Sequence, residues 1–271
     1  MRFSGHTVIV TGASLGVGQA TAAAFHREGA NVVLVARREG PLKAAAEALG
    51  APDRVLTHSA DVASNDSLAA LVEATIERFG TVTGLVNNAG AHFRGNAETR
   101  TPEEIAIMVD VNFRAPLVLS RMVLPHLRTQ GGFIVNVASL AGKLPLDGAA
   151  TYSSTKFGLR VFTYALAEEL RGTGVTVSAV SPGPIHTGFI MDEIDEVEDI
   201  VFSQTMCTAE YVADMVLDCA ADGRREREFP VSGGKLGTLG YLVPGLRRVL
   251  KPRLEAKGAA VKARLRRERG S

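Results

Sequence analysis

Several features that would indicate particular protein classes are scarce in this sequence. Its two cysteines, Cys207 and Cys219, lack metal-ligand spacing, which predicts free thiols in a reducing compartment and no disulfide framework. The six histidines are scattered along the chain and predict no metal centre. No apolar run reaches the roughly 18 residues of a membrane span, and no signal peptide is visible. A cytoplasmic location is therefore expected.

Charge is nearly balanced over the 271 residues, at a net +1, but it is unevenly distributed. Residues 244–271 carry ten Lys/Arg and two Glu, a balance of +8, so the rest of the chain carries −7. The basic tail is expected to dock on the acidic body, to fray in solvent, or to lie on an anionic membrane. Pro252 is expected to interrupt or restart its helix. No nucleic-acid partner is expected.

Strand-like apolar runs alternate with helical stretches along most of the chain. The run Asn31–Ala36 is continuously apolar, which is typical of a strand buried on both faces. Repeated βα units predict an α/β fold with one Rossmann-type, doubly wound parallel sheet and helices on both faces. The pattern predicts one long helix over residues 102–127 and a last strand over Glu228–Ser232. Residues 1–232 are expected to form a single domain, and residues 233–271 a partly helical basic extension.

A glycine-rich loop, Thr11-Gly-Ala-Ser-Leu-Gly-Val-Gly18, lies between the first predicted strand and the first helix. Glycines at such a turn let the backbone approach a pyrophosphate, whose charge the helix N-terminus favours. The alternative is a glycine-rich turn without a ligand. The second strand ends Ala36-Arg37-Arg38, with no carboxylate to hold a ribose 2′-hydroxyl. Arginine suits a 2′-phosphate, so the loop and this strand end favour NADP over NAD.

Tyr152 and Lys156 lie four residues apart, and therefore on one face of a predicted helix. A free tyrosine has a pKa of about 10 and is a poor acid or base at neutral pH. A neighbouring ammonium is expected to lower the pKa of Tyr152 and make the pair an acid/base device. Most such pairs are a packed tyrosine beside a solvated lysine, so the weight comes from the motifs upstream.

Together these motifs resemble the short-chain dehydrogenase/reductase superfamily over roughly residues 5–232. Residues 11–18 match its TGxxxGxG motif, residues 87–90 match NNAG, and Ser139 stands 13 residues before Tyr152. The resemblance implies hydride transfer between NADP(H) and an alcohol or ketone. The catalytic residues that it implies are Asn112, Ser139, Tyr152 and Lys156. The cofactor-binding residues that it implies are Gly12, Ser14, Leu15, Gly16, Gly18, Arg37, Arg38, Asp61, Val62, Asn88, Ala89, Gly90, Tyr152, Lys156, Pro182, Gly183, Ile185 and Thr187.

Roles for these residues follow from the resemblance and from their chemistry. Tyr152 would donate a proton to the substrate oxygen in reduction, and Lys156 would hold the nicotinamide ribose. Ser139 would hydrogen-bond the substrate oxygen, or would merely cap a turn. Asn112 would hold a water linking Lys156 to solvent, or would merely satisfy a helix kink.

Residues 188–204 are expected to form a substrate lid. They contain six acidic residues and no basic one. Apolar residues recur at helical spacing, which predicts an amphipathic helix, either over the active site or as an ordinary surface helix: Ile190, Ile194, Val197 and Val201. An apolar lid indicates a hydrophobic substrate. Four other residues are expected to line the same pocket: His92, Leu140, Leu144 and Leu146.

Several functions remain open at this stage. The leading prediction is an NADP(H)-dependent oxidoreductase acting on a hydrophobic alcohol or ketone. A 3-oxoacyl-thioester reductase is the alternative within the enzymes, and a non-catalytic NADP-binding sensor or a membrane-associated scaffold represents other classes. The helices over 102–127 and 151–171 are expected to pair copies of the chain into a homodimer or homotetramer.

Overall fold

Seven parallel strands form one sheet in a computed structural model that describes residues 1–270, with side chains through residue 268. The strands are β1 (Thr7–Thr11), β2 (Asn31–Ala36), β3 (Val55–Ser59), β4 (Gly84–Asn87), β5 (Gly132–Val137), β6 (Val175–Pro182) and β7 (Glu226–Phe229). Their order is β3-β2-β1-β4-β5-β6-β7. The chain reverses direction across the sheet after β3, which confirms the doubly wound arrangement.

Ten α-helices accompany the sheet in the described residues. They are α1 (Gly16–Arg27), α2 (Glu39–Glu47), α3 (Asn65–Phe79), α4 (Pro102–Val109), α5 (Ala115–Gln130), α6 (Ala150–Glu169), α7 (Gly188–Met191), α8 (Ala209–Asp222), α9 (Val231–Leu242) and α10 (Pro244–Gly270). Short 3-10 or π turns join several of them.

Each face of the sheet carries its own hydrophobic core, because successive side chains of a strand point to opposite faces. In β1, Val8 and Val10 belong to the core that includes Phe25 of α1, while Ile9 belongs to the core that includes Leu119 of α5. All five residues of β1 are buried. This two-sided burial explains the continuous apolar runs in the sequence.

The predicted long helix over residues 102–127 is interrupted. A π turn at Asp110–Arg114 separates α4 from α5. The predicted last strand, Glu228–Ser232, starts two residues and ends three residues too late, since β7 is Glu226–Phe229 and residue 231 already begins α9. The glycine-rich stretch that follows is therefore helical, and the predicted division after residue 232 falls inside α9. That division into two segments stays a prediction.

The predicted amphipathic helix over residues 188–204 was wrong as a helix, although its apolar residues are buried. The segment consists of the single turn α7, bends, and a 3-10 turn at Asp199–Ser203. Ile194 and Val197 are buried beside Val261 and Leu265 of α10. The helical spacing thus reflected packing against a distant part of the chain. We call residues 188–204 the lid.

The basic tail is docked on the acidic body. Lys262 is buried, and its Nζ donates to the carbonyl of Val197 at 2.7 Å and pairs with Asp199 at 3.2 Å. Nearer its start, α10 pairs with Asp147 through Arg247 at 2.9 Å. The prediction that Pro252 interrupts the tail helix was wrong, because α10 is continuous through it. Docking contacts on both sides of the proline hold the helix together.

Two further sequence predictions concern membranes and thiols. Within residues 1–270, no helix combines the length and apolarity needed to cross a bilayer. Cys207 and Cys219 are both buried and unbonded, which confirms free thiols. Burial raises the pKa of both thiols, so they are poor nucleophiles.

Candidate active site

A cavity of about 1090 Å³ lies at the carboxyl ends of the central strands, where open α/β sheets bind ligands. Many predicted residues line it: Gly12, Leu15, Gly16, Arg38, Asn88, Ala89, Gly90, Ser139, Tyr152, Lys156, Pro182, Gly183, Ile185 and Thr187. The other predicted residues are not part of its lining: Ser14, Gly18, Arg37, Asp61, Val62 and Asn112. Residues from most of the predicted motifs therefore line the same cavity, and six of the predicted residues do not line it.

The glycine loop is shaped by close approach of the backbone. Gly12 has φ +67°, and a Cβ added there would lie 2.9 Å from both the Ala89 Cα and the Asn88 Nδ2. A Cβ at Gly18 would lie 2.1 Å from the Gly12 carbonyl oxygen, so only glycine fits there as well. Gly18 thus acts by letting α1 pack on the loop and not by lining the cavity.

Side chains from β1 and from the loop after β4 fix the glycine loop in place. Asn88 Nδ2 donates to the Thr11 carbonyl at 2.9 Å, and the Asn88 and Ala89 amides donate to Thr11 Oγ1 at 3.0 Å. Deeper in the sheet, Asn87 Nδ2 donates to Asn136 Oδ1 at 2.8 Å. Asn87 therefore links strands β4 and β5 of the sheet, and Asn88 fixes the start of the glycine loop.

The N-terminus of α1 fits an anionic group. Its capping residue, Leu15, offers no side-chain hydrogen bond, and its first turn holds no acidic residue. The first amides of a helix have no partner within the helix, and the helix dipole favours negative charge there. The crowding at Gly12 likewise leaves backbone, and no side chain, facing a ligand. A dinucleotide pyrophosphate therefore fits the residues that are present.

The end of β2 carries the two predicted arginines. Arg37 and Arg38 are both exposed, and Arg38 lines the cavity. The Arg37 carbonyl accepts a hydrogen bond from Ser59 at the end of β3, at 3.1 Å. Asp61 is exposed and accepts a hydrogen bond from its own turn, and the neighbouring Val62 is buried. Both arginine side chains are thus at the surface beside the glycine loop.

Tyr152 lies in the first turn of α6, with its phenol inside the cavity. The Ser139 hydroxyl acts to lower the pKa of this phenol, and it accepts the Ala141 amide at 3.1 Å. His92 stacks on the tyrosine ring, with centroids 4.1 Å apart and planes 12° apart. Ser139 therefore caps a turn beside Tyr152, and its predicted hydrogen bond to a substrate oxygen stays a prediction.

Lys156 is buried one turn further along α6. Its Nζ donates to the Val137 carbonyl at 2.9 Å and lies 5.8 Å from the centroid of the Tyr152 ring. Among the described residues no carboxylate forms a salt bridge with it. Burial lowers the pKa of Lys156 to about 8. The ammonium therefore has donors left for an acceptor inside the cavity.

The expected pKa shift of Tyr152 was wrong in direction. Burial raises the pKa of the Tyr152 phenol, and this effect outweighs the Ser139 hydrogen bond and the positive charge of Arg94, which act to lower it. The Lys156 ammonium hydrogen-bonds the Val137 carbonyl and lies 5.8 Å from the centroid of the Tyr152 ring. The phenol is thus held protonated at neutral pH, the form that a proton donor requires.

Asn112 lies in the π turn between α4 and α5 and is fully buried. Its Oδ1 accepts the Ala91 amide at 2.7 Å, and its Nδ2 donates to the Ala91 carbonyl at 2.8 Å and to Thr155 Oγ1 at 3.3 Å. The turn therefore positions the chain that leads to His92. π turns of this kind recur at functional sites. In the predicted continuous helix Asn112 would face a different direction.

Arg94 is a site residue that the sequence analysis missed. Its side chain is 9% exposed and pairs with Glu193 of the lid at 2.9 Å. It also donates to the Phe189 carbonyl at 2.9 Å and to His92 Nδ1 at 3.1 Å. It thus ties the lid to the ring that stacks on Tyr152. The one feature of the sequence that could have identified Arg94 is its position four residues after the NNAG motif of residues 87–90.

Arg94 also determines the protonation of His92. A guanidinium is only a donor, so Nδ1 accepts and the neutral ring carries its proton on Nε2. Burial, followed by the charges of Arg94 and Lys156, lowers the pKa of His92 to about 3. The ring therefore stays uncharged at neutral pH beside the Tyr152 phenol.

The half of the cavity beyond Tyr152 is mostly apolar. It is lined by the predicted His92, Leu140, Leu144 and Leu146, and by lid residues Ile200 and Val201. The C-terminal helices complete it with Leu236, Leu246, Leu250 and Leu254. The three leucines of α10, four residues apart in the sequence, thus form a wall of the cavity.

The sequence model of the short chain dehydrogenase family matches residues 6–198. The chain belongs to the short-chain dehydrogenase/reductase family. Its glycine loop, asparagine motif and Tyr152–Lys156 pair all lie inside the matched region, whereas α8, α9 and α10 lie outside it. The chain is therefore an oxidoreductase of this family.

The relatives of this chain are named for different activities. It is 38% identical over 192 residues to ketoacyl reductase HetN of Nostoc sp., which covers 70% of this chain and 67% of that protein. It is 36% identical over 191 residues to L-fucose dehydrogenase of Mus musculus, which covers 69% and 67%. An uncharacterised oxidoreductase of Staphylococcus epidermidis is 37% identical over 180 residues, which covers 66% and 77%.

Solved structures agree with the fold of this chain. A short-chain dehydrogenase/reductase of unknown function from Caenorhabditis elegans, solved with cofactor, superposes with a TM-score of 0.76 at 27% identity, covering 86% of this chain and 97% of that one. A 3-ketoacyl-(acyl-carrier-protein) reductase from Brucella melitensis, complexed with NADH, also has a TM-score of 0.76, at 28% identity, covering 84% and 97%.

Proposed function

We propose that this protein transfers a hydride between NADP(H) and a secondary alcohol or ketone with a hydrophobic body. The observation that carries the proposal is the Ser139–Tyr152–Lys156 arrangement at the junction of the glycine-loop half and the apolar half of one cavity. When bound, the nicotinamide supplies the hydride, and the protein supplies position and a proton.

The roles of the chain's residues follow from their surroundings. Tyr152 donates its phenol proton to the substrate oxygen during reduction, and the Ser139 hydroxyl holds that oxygen by a hydrogen bond. Lys156 offers its remaining N–H donors to the nicotinamide ribose. Asn112 acts by positioning the segment at Ala91. Its buried hydrogen bonds support that role more directly than the predicted water relay.

A hydrophobic substrate is supported by the leucines beyond Tyr152. These come from three separate parts of the chain, so the apolar character does not depend on one segment. A 3-oxoacyl thioester is the second candidate, favoured by the names of the Nostoc and Brucella relatives. A non-catalytic sensor is disfavoured because all four implied catalytic residues are present.

The test is turnover by the purified chain with a panel of ketones and thioesters, followed by NADPH absorbance. The proposal expects turnover of apolar ketones that rises with chain length until the cavity is filled. Preference for 3-oxoacyl thioesters over simple ketones of equal length would favour the second candidate. NADPH binding without turnover of any carbonyl compound or alcohol would favour the sensor.

Cofactor preference is expected to reside in Arg37, with Arg38 beside it. A charge-assisted hydrogen bond to a 2′-phosphate is worth about 1.5–3 kcal/mol, or roughly 10- to 150-fold in affinity. Arg37→Asp removes that bond and repels the phosphate, so we expect the preference to reverse toward NADH. The measurement is kcat/KM for both cofactors, with the exposed Arg27→Asp on α1 as a matched control. Equal kcat/KM of the wild type for the two cofactors would contradict the assignment.

The α10 wall is expected to set substrate length. Burial of a leucine is worth about 1.5–3 kcal/mol, so Leu250→Ala should raise KM for a long apolar ketone roughly 10-fold or more. A ketone too short to reach α10 should be unaffected. Val249→Ala, at an exposed neighbouring position, is the control. Equal effects on short and long ketones would show that Leu250 acts through the fold and not through substrate contact.

Assembly and location remain predictions. A homodimer or homotetramer through α4, α5 and α6 is consistent with Val161, which is 61% exposed on α6, and with the exposed Ile107 and Val109 on α4. A cytoplasmic location fits the unbonded cysteines. Contact with a membrane is a separate question, since the basic tail is already engaged with the lid.

A further inference from the structure

Helix α9 has its apolar residues facing outward. Gly234, Gly237 and Gly240 are buried against the body, and a Cβ added at Gly237 would lie 3.1 Å from Leu144 Cδ2. On the outside, Leu239 is 45% exposed and Leu242 is 69% exposed. A helix on the surface of a water-soluble protein normally shows the reverse arrangement. The outer face of α9 therefore suits an apolar environment.

The apolar surface continues past the end of α9. Tyr241 and Val243 are about half exposed, and Val249, on the first turns of α10, is 73% exposed. The Tyr241 ring packs on Phe157 of α6, with centroids 5.3 Å apart, so we call Leu239, Leu242, Val243 and Val249 the outer patch. Single exposed apolar residues are ordinary, but four of them within eleven consecutive positions indicate an interaction surface.

Positive charge surrounds the outer patch. Residues 231–254 contain five Lys/Arg and no Asp or Glu. Arg247 and Lys251 are paired with Asp147, whereas Lys235, Arg248 and Arg253 have exposed side chains. An apolar face bordered by cations matches the interface of an anionic bilayer, where acyl chains lie below a layer of phosphates.

A second copy of the chain is a poorer match for the same surface. In a twofold interface each patch meets its own copy, so the bordering arginines would face each other with no acidic residue from this segment between them. Like charges directly opposed are unfavourable. The charge pattern thus distinguishes a lipid surface from self-association.

We propose that the outer patch inserts into the interface of an anionic membrane, with Lys235, Arg248 and Arg253 at the level of the lipid phosphates. Leu236 both lines the cavity and is 39% exposed, so the cavity reaches the surface beside the patch. An apolar substrate can then enter the cavity from the bilayer. The membrane contact differs from the one expected of the basic tail, whose later half is held on the lid by Lys262.

The experiment is flotation of the full-length protein with vesicles of phosphatidylcholine, with and without phosphatidylglycerol. The wild type is expected to bind the anionic vesicles and to release at high salt. Leu239→Gln/Leu242→Gln should lower the partition coefficient roughly tenfold or more, since two leucines no longer insert. Arg248→Glu/Arg253→Glu should weaken binding at low salt by at least about fivefold per basic residue.

Tyr211→Gln, which removes an exposed apolar residue from α8 and lies outside the helices expected to pair copies of the chain, is the control and should bind as the wild type does. Neither Leu239 nor Leu242 lines the cavity. Turnover of a soluble ketone and the unfolding temperature therefore report whether the Leu239→Gln/Leu242→Gln variant is folded. Vesicle binding needs no turnover, so it can be scored even if the proposed reaction fails.

Three results would overturn the proposal. The first is a wild type that ignores anionic vesicles at every salt concentration. The second is a Leu239/Leu242 variant that binds them as well as the control does. The third is a wild type that is a dimer by light scattering and a Leu239→Gln/Leu242→Gln variant that is a monomer, when neither of the two proteins binds vesicles. In that case the patch joins two copies of the chain.

Discussion

Replacing Tyr152 by phenylalanine is expected to abolish ketone reduction while leaving NADPH binding close to that of the wild type. The variant loses the phenol hydroxyl, but it keeps a ring that can stack on His92. Positioned acid/base groups contribute about 10²–10⁴-fold to rate, so kcat should fall by at least that order. Steady-state kcat and a fluorescence titration with NADPH measure the two halves of this prediction.

Tyr164→Phe is the matched control for Tyr152→Phe. Tyr164 lies on the same helix and hydrogen-bonds Glu226 and Arg160 outside the cavity lining. Its loss should change stability and leave kcat near that of the wild type. A Tyr152→Phe variant that retains near-normal kcat would remove Tyr152 from the chemistry and with it the proposed mechanism.

Replacing Lys156 by methionine is expected to reduce both cofactor affinity and turnover. The Nζ donates to the Val137 carbonyl and has further donors for a ribose hydroxyl, and methionine has none. We expect a higher KM for NADPH together with a large fall in kcat. A fall in kcat alone would place Lys156 in proton transfer but not in cofactor binding.

The pH profile gives an independent measure of Lys156. With its pKa lowered to about 8 by burial, the ammonium is lost as the pH rises through that value. In the wild type, kcat/KM for NADPH should therefore fall above about pH 8, and the variant should lack this limb. An unchanged KM and an unchanged pH profile in Lys156→Met would contradict the assignment.

Thermal unfolding at pH 7 shows whether the loss of cofactor affinity in Lys156→Met comes from the site or from misfolding. The folded pKa of Lys156 lies below its ordinary value, so the charged form is disfavoured by folding at pH 7, and this cost fades as the pH rises. Removing the charge should therefore not lower Tm. A variant with weak cofactor binding and a normal Tm then reports on the site itself.

The sheet could be predicted from the sequence because its signals are local. Strands buried on both faces need continuous apolar runs, and β2 has the predicted bounds, Asn31–Ala36. The glycine loop was also predictable, since a strand, a tight turn and a helix follow one another without a gap. Residues that line the cavity from these elements were found for the same reason.

The lid and tail could not be predicted because their signals come from contacts distant in the chain. The apolar spacing of Ile194 and Val197 predicted a helix, but these residues are buried by Val261 and Leu265 of α10. Pro252 predicted a break, but docking on both sides holds α10 continuous. Only the assembled fold shows that the tail covers the lid.

The electrostatics of the site were likewise inaccessible to sequence reasoning. The pair Tyr152 and Lys156 indicated a lowered tyrosine pKa, yet burial raises it, and the lysine points to the Val137 carbonyl. How deeply a group is buried depends on what covers it, here the stacked ring of His92. Arg94 was missed because its role arises from Glu193, 99 residues away in the chain.

The measurement that tests the central claim most directly is label transfer from NADPH deuterated at both C4 positions to an apolar ketone. The wild type should place one deuterium on the carbon that bears the new hydroxyl, and Tyr152→Phe should yield no product above background. Both C4 positions are labelled, so the result does not depend on which face of the nicotinamide is used. An alcohol product without deuterium, or no product from any ketone while NADPH binds, would contradict hydride transfer by this site.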